Sequence, residues 1–313
     1  MARLTEAPPA DADRSAGAVR AQMTDERLLV PLDGSAESNA ALPLARTLAD
    51  VMGLPIRLLR VVPLEDLQTG HQARMNLYRI AEELASSGLS VESIVREGPP
   101  GEEILAEIQT TPIGLVVMRT HGRAGLSRAI LGSVTERVLR DAHLPMVLLR
   151  PGGHRVTKLA KLLVPVDGTP GGAVALGAAV GLARQSGASI KLIQITVPLA
   201  MQQPMVGGFG SMAYIDPAWD EQALASAKGY VAGLQANLQA QGLDATGQAM
   251  RALDVAEAIV EVATTDATDM VVMSTHALTG PARAVLGSVA DAVVRSAPCP
   301  VLLVRRAQCP GPA

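Results

Sequence analysis

Aromatic residues are nearly absent: one Phe, one Trp and three Tyr in 313 residues leave core packing to Ala, Val, Leu and Ile. So few rings make no basic–aromatic cluster, which argues against a stacking platform for single-stranded nucleic acid. Positive charge is not in excess either. The formal net charge is −3, so no broad field for polyanions is expected and nucleic acid is not an expected partner. Cysteine is scarce as well. Cys299 and Cys309 make neither a disulfide framework nor a close metal-ligand pair, and Cys299, in Pro-Cys-Pro before an apolar run, should pack as a small hydrophobe. No apolar run approaches the roughly 20 residues that span a bilayer; the nearest, Gly171 to Ala183, is short and Gly/Ala-rich. The stretch MARLTEAPPADADRSAGAVRAQ lacks the apolar centre of a secretory signal. The expectation is a cytoplasmic chain with no membrane partner.

What is present is ample apolar material, 48% of residues against 18% charged, on a length that suggests about two domains. The text of the chain is duplicated. RLLVPLDGS from Arg27 returns as KLLVPVDGT from Lys161, an offset of 134 residues (Asp33 to Asp167). MRTH from Met118 returns as MSTH from Met273, and ILGSV from Ile130 as VLGSV from Val285, both offset by 155 residues. LPMVLLR from Leu144 is echoed by CPVLLVR from Cys299. Four blocks in one order make a tandem repeat. The growth in offset puts extra material near residues 198–219, readable as a lid or as a tolerated surface insertion.

In each copy short apolar runs alternate with longer amphipathic stretches. The runs in copy one are Leu28–Pro31, Ile56–Val62, Val91–Arg96, Leu115–Met118 and Met146–Leu149; those in copy two are Leu162–Val166, Ile190–Thr196, Thr246–Arg251, Met270–Met273 and Val301–Val304. Helices are expected at Ser38–Met52, Gln72–Ser86, Gly101–Gln109 and Ser133–Ala142. Strands apolar throughout suit a parallel sheet covered on both faces, and βαβ order makes it doubly wound. The predicted layout is a tail at residues 1–23, one domain at 24–151, a second at 156–307 and a tail at 308–313.

In such a sheet ligands sit beyond the carboxyl ends of the strands, where strand order reverses. The stretch MRTHGRAGLSRAILGSV, Met118 to Val134, lies at such an end. Gly122 and Gly125 allow a tight turn, and Gly132-Ser133-Val134 opens a helix whose first amides and dipole favour an anion. Ser133 has two readings, helix cap or phosphate donor. Asp33, at the end of the first strand, suits ribose hydroxyls or a divalent cation. The stretch reads either as a cradle for a nucleotide-like ligand or as the turn that any strand-to-helix connection needs. Neither GxxxxGK[ST] nor, after either first strand, GxGxxG is present, and GTPGG at Gly168–Gly172 reads as a helix entry with Thr169 as cap and Pro170 first.

PLDGS and PVDGT, with MRTHG…LGSV and MSTHA…LGSV, resemble the universal stress protein (UspA-like) family, over Arg27–Arg150 and Lys161–Arg306. The resemblance implies two tandem five-stranded Rossmann-like α/β sheets of order 3-2-1-4-5, paired through their last strands as an intramolecular pseudo-dimer, with a homodimer of the whole chain as a further option. It also implies ATP, with or without Mg, bound by a pattern of Gly, two residues, Gly, nine residues and Gly-Ser/Thr. In copy one the matching positions are Pro31, Asp33 (ribose), Val61 (adenine), Met118, His121, Gly122, Gly132, Ser133 and Val134; Arg119 stands at the first glycine. In copy two they are Pro165, Asp167, Ile195, Met273, His276, Gly287, Ser288 and Val289, with Ser274 and Ala277 at the first two glycines. Arg119 either blocks the pocket or reaches toward a phosphate.

No acid is assignable to orient His121 against Ser133, so no catalytic residue is expected, and turnover is at most that of a slow ATPase. Arg123 and Arg128 are either phosphate ligands or surface residues, with Leu278 and Arg283 in copy two. His71, His143 and His154 read as surface, and Glu102-Glu103 as the favourable acids of a first helical turn. No metal site is expected. The functional expectation is a nucleotide-binding stress regulator acting through conformational or partner changes, or else an interaction module that assembles through its terminal strands.

Overall fold

The computed structural model describes residues 26–64, 67–120, 131–198, 217–275 and 286–305. Both expected tails, and within the expected insertion residues 199–216, lie outside these; Pro217 to Trp219 open a helix instead. In chain order the elements are β1 Arg27–Leu32, α1 Ala36–Asn39, α2 Leu42–Met52, β2 Ile56–Val62, α3 Leu67–Ala85, β3 Val91–Glu97, α4 Pro100–Thr110, β4 Ile113–Arg119, α5 Ser133–Asp141 and β5 Met146–Leu149. The second half repeats the scheme with β6 Lys161–Pro165, α6 Pro170–Ser186, β7 Ser189–Thr196, α7 Pro217–Ala240, β8 Ala245–Arg251, α8 Val255–Thr265, β9 Met270–Thr275, α9 Ser288–Ser296 and β10 Val301–Arg305.

The strands are those expected, within a residue or two at their ends. One expected helix is broken: Ser38–Met52 is two helices, α1 and α2, parted at Ala40-Ala41. Pro43 is the cause, since it lacks the N–H that would bond Asn39 O and its ring crowds that carbonyl. The Ser35 side chain caps α1 by accepting from Ser38 N, and Gly53, at φ 66°, ends α2 in the left-handed conformation that glycine adopts without strain.

The strand order is β3-β2-β1-β4-β5-β10-β9-β6-β7-β8, so each half has the order 3-2-1-4-5 and the two run on as one ten-stranded sheet. All pairs are parallel except β5 with β10, where Leu148 faces Val301 and Met146 faces Leu303. β5 lies between β4 and β10, and β10 between β5 and β9, so neither terminal strand offers an unpaired edge. Two arginines close the junction reciprocally. Arg150 Nε donates to Ala297 O at 2.6 Å, and Arg305 Nη1 donates to Arg140 O at 3.3 Å. Each cation thus meets the carboxyl end of the other half's helix, where the dipole favours it.

One core lies on each side of the sheet, and each runs through both halves. Leu44, Leu48, Leu77, Leu176 and Val231, from α2, α3, α6 and α7, cover one face; Ile104, Val138, Leu139, Ile259 and Val293, from α4, α5, α8 and α9, cover the other. The second face differs between the halves. Under α4, fully buried Glu107 accepts from Arg57 Nε at 2.5 Å, Arg96 Nε at 2.7 Å and Thr111 Oγ1 at 2.7 Å. Arg57 also donates to Glu92 at 2.6 Å. Under α8 the place of Glu107 is taken by Val262 and that of Arg96 by Met250, both in apolar contact.

Candidate functional site

The crevice opens because a proline stands where a ladder bond would form. Arg27 N donates to Pro112 O, so the odd residues of β1 face β4; Leu28 N donates toward β2. Residue 31 would make the next bond after Leu29, but Pro31 has no N–H, and the β1–β4 pairing stops at Leu29 with Val116. The same parity holds in the second half. Asp269 N donates to Lys161 O, which puts Pro165 on the β9 side, and the β6–β9 pairing stops at Leu163 with Val271. In both halves the strands part at the point where strand order reverses, which is where α/β sheets bind ligands.

Beyond each proline an aspartate closes a tight turn. Asp33 Oδ1 accepts from Ser35 N at 2.9 Å and Ser35 Oγ at 2.5 Å around Gly34, which has φ 76°. Asp167 Oδ1 accepts from Thr169 N at 2.9 Å and Thr169 Oγ1 at 2.7 Å around Gly168, with φ 77°. Thr169 therefore serves the turn through these donors. Both carboxylates are held at the mouth by donors of their own turns. Nearby, burial and then the charge of Asp167 raise the phenol pKa of Tyr230, a residue with no counterpart expected from the repeat.

Across the crevice stand the helices that open with Gly-Ser-Val. Gly132 and Gly287 are the N-caps of α5 and α9, at φ/ψ −63/145° and −62/153°, and neither helix has a side-chain cap. The two readings of Ser133 are thereby separated: it is the first helical residue and does not cap. By contrast Asp254 caps α8 by accepting from Ala256 N and Glu257 N. The first amides of α5 and α9 keep the polarity that attracts an anion. The backbone of residue 287 does not require glycine, and a Cβ there would meet nothing within 4 Å among the described residues. Glycine at that place leaves room for something to come close, which is the fit a phosphate needs.

Behind the helix start is an apolar wall. Met118 and Met273 are 5% and 6% exposed, and Val61, Ile195, Val134 and Val289 pack against the same core face. Pro31 and Pro165 are half-buried. In copy one the ends of the loop are stitched together: Gly132 N donates to Thr120 O at 2.8 Å, and Thr135 Oγ1 donates to Arg119 O at 3.0 Å. Thr135 was not singled out by motif. The signal available was SVTER against SVADA, which puts Ala290 at the matching place.

The structure thus brings together Pro31, Asp33, Val61, Met118, Gly132, Ser133 and Val134 around one crevice, and Pro165, Asp167, Ile195, Met273, Gly287, Ser288 and Val289 around the other. His121, Gly122, Arg123, Gly125, Arg128, His276, Ala277, Leu278, Arg283 and Cys309 lie outside the described residues. Arg119 is placed on the far side of β4 from Met118, since strand alternation puts it with Leu115 and Val117 toward α1. There it lines a separate cavity with Ala36 and Asn39. Its Nε is buried without a partner, and burial lowers its pKa against the opposing influence of Glu37. Cys299 is buried, and desolvation pushes its thiol up to about 12. His71, His143 and His154 are exposed, and Glu102 and Glu103 occupy the first turn of α4. Among the described residues no three His, Cys, Asp or Glu gather to hold a metal, and no helix is long and apolar enough to cross a membrane.

Comparison with known proteins agrees with this architecture. The sequence pattern of the Universal stress protein family matches residues 26–150 and 158–305. A universal stress protein of Methanocaldococcus jannaschii is 35% identical over 83 residues, 26% of this chain, and the match spans about half (47%) of that relative's length. A Mycolicibacterium smegmatis universal stress protein is 24% identical over 303 residues, covering 90% of this chain and 98% of the relative. Among solved structures, a universal stress protein of Archaeoglobus fulgidus DSM 4304 superposes with a TM-score of 0.68 at 19% identity, over 91% of this chain and 100% of that one.

Proposed function

This chain belongs to the universal stress protein family, and from that premise we propose that it is a stress-response regulator that holds ATP in the crevice beyond β1 and β4, with a second site beyond β6 and β9. One observation carries the reading. In both halves a proline parts the switch-point strands, and a helix start without a side-chain cap faces an aspartate fixed in its own turn. A packing motif would have no reason to keep all three in both copies.

In the first site Ser133 and Val134 amides, with Ser133 Oγ, hold phosphate; Asp33 takes the ribose hydroxyls; Val61, Pro31 and Met118 flank the base. Ser288, Val289, Asp167, Ile195, Pro165 and Met273 do the same in the second. Magnesium would come with the phosphates, keeping most of its water, because the described residues supply no cluster of carboxylates. Both sites flank a junction built of β5, β10 and two arginine contacts, so occupancy acts on partners through how the helix starts are held, with hydrolysis slow or absent.

The test is thermal unfolding with and without millimolar ATP–Mg. Ligand at 100 times its Kd stabilises the folded state by about 2.7 kcal/mol, a readily measured shift. Gly132→Asp with Gly287→Asp, which put a carboxylate at both helix starts, should remove the shift. Equal melting temperatures in the unaltered chain would end the proposal.

A further inference from the structure

The cavity beside Arg119 lies apart from both crevices. It has a volume of about 290 Å³ and sits between α1, the ends of β4 and β5, the connection between the halves, and Cys299-Pro300. Arg119, Arg150, Arg155 and His154 line it, and among the described residues its lining carries no carboxylate. Glu37, on α1, is the acid near enough to act on Arg119.

Three cations round one small space repel each other unless something sits between them. Among the described residues the Arg119 side chain makes no hydrogen bond, and its Nε is buried without a partner. Arg155 forms no ion pair or hydrogen bond among the described residues, while Arg150 spends Nε on Ala297 O. Buried polar groups are normally satisfied, and an unpaired buried donor is one of the few exceptions that ask for a missing partner. Arginine forks are suited to phosphate oxygens bidentately.

We propose that this cavity is a binding site for a compact phosphate-class polyanion, held by Arg119, Arg150 and Arg155 at the junction of the two halves. Among the described residues the arrangement occurs in the first half alone, since Ser274 stands at the place of Arg119 in the second. A volume near the lower limit of ligand pockets fits inorganic pyrophosphate better than a whole nucleotide. An anion here would bridge the first half's β4 to the connection, and so tie the junction together independently of what fills the crevices.

Calorimetric titration of inorganic pyrophosphate into the full-length Gly132→Asp/Gly287→Asp chain tests this with both crevices closed, so the result does not depend on the ATP reading. The expected result is saturable binding of one pyrophosphate per chain, weakened at least about tenfold when Arg119→Met and Arg155→Met are added. Arg119→Met removes a half-buried charge whose Nε has no partner, so the ligand-free melting temperature should not fall. If it does, Arg155→Met alone carries the test, because Arg155 is exposed in the connection. Absence of saturable binding, two equal sites per chain, or affinity unchanged by the arginine substitutions would overturn the proposal.

Discussion

Under its outer helix the first half buries an acid, and the second half buries a valine. Glu107 sits among Arg57, Arg96 and Thr111, while the matching places in the second half hold Lys191, Val262 and Met250, and Lys191 turns outward to Asp266 at 2.6 Å. Strand order, helix order and crevice are the same on both sides. A fold of this kind therefore needs the volume under that helix filled and its polar groups paired, and does not need a particular chemistry there. The crevice is the reverse case. Proline, aspartate turn and Gly-Ser helix start recur, although neither core nor sheet would require the glycine at 287.

The largest expected effect breaks the acid side of this comparison. Glu107→Ala should destabilise the protein by about 3 kcal/mol, near the lower end for breaking a buried ion pair. Arg57 keeps Glu92 and Arg96 keeps Glu103, which limits the loss. Denaturant unfolding measures it, and Val262→Ala, losing a methyl-lined contact, gives the apolar reference. The same residue sets a pH dependence. Its hydrogen bonds from Thr111, Arg96 and Arg57 outweigh desolvation and hold the Glu107 carboxyl below the usual range. Glu92 is held low too, first by its hydrogen bond from Arg27. A depressed folded pKa gives stabilisation that is present above the unfolded value of about 4.3 and lost as pH falls through the folded one. Replacing Arg57, Arg96 and Glu107 together by Lys, Met and Val, the second half's set, should flatten that acid limb; an unchanged limb would show that other carboxylates control it.

A smaller effect sharpens the comparison at the crevice. Thr135→Ala, which copies Ala290, should cost about 1 kcal/mol, the net value of a hydrogen bond, and speed amide exchange at Thr120 and Gly132. Ala290→Thr should not give the reciprocal gain unless the second loop closes in the same way. The smallest effects belong to the junction. Arg150→Met and Arg305→Met should each cost roughly 0.3–1 kcal/mol, with Arg150 the greater because its contact is shorter, 2.6 against 3.3 Å. Equal losses would mean that the difference in contact length carries no weight.

Much of this was legible in the chain. Apolar runs read as strands because a parallel sheet buries both faces, and repeated blocks showed the duplication without any structure. The break between α1 and α2 was legible too, in Pro43, but the amphipathic pattern on either side conceals it. Pro31 and Pro165 stood in the motif, yet their effect depends on which neighbour the odd residues face, and that parity is set by pairing. Thr135 was hidden because a helix residue's partner, here a carbonyl 16 residues back, cannot be read from helical spacing. Tyr230 was hidden for a related reason, since α7 follows the stretch where the two copies cease to correspond.

By itself, then, the sequence determined the duplication and the alternation of strand and helix, because these depend on local periodicity and on text that repeats. The β5–β10 pairing that the family resemblance implied is the seam of the one sheet, with its register set by the tertiary structure, and tertiary structure alone decided that Arg119 turns away from Met118 toward a junction cavity with Arg150 and Arg155. The physical reason is that edge pairing and the far side of a strand are settled by neighbours distant in the chain, which no local pattern encodes.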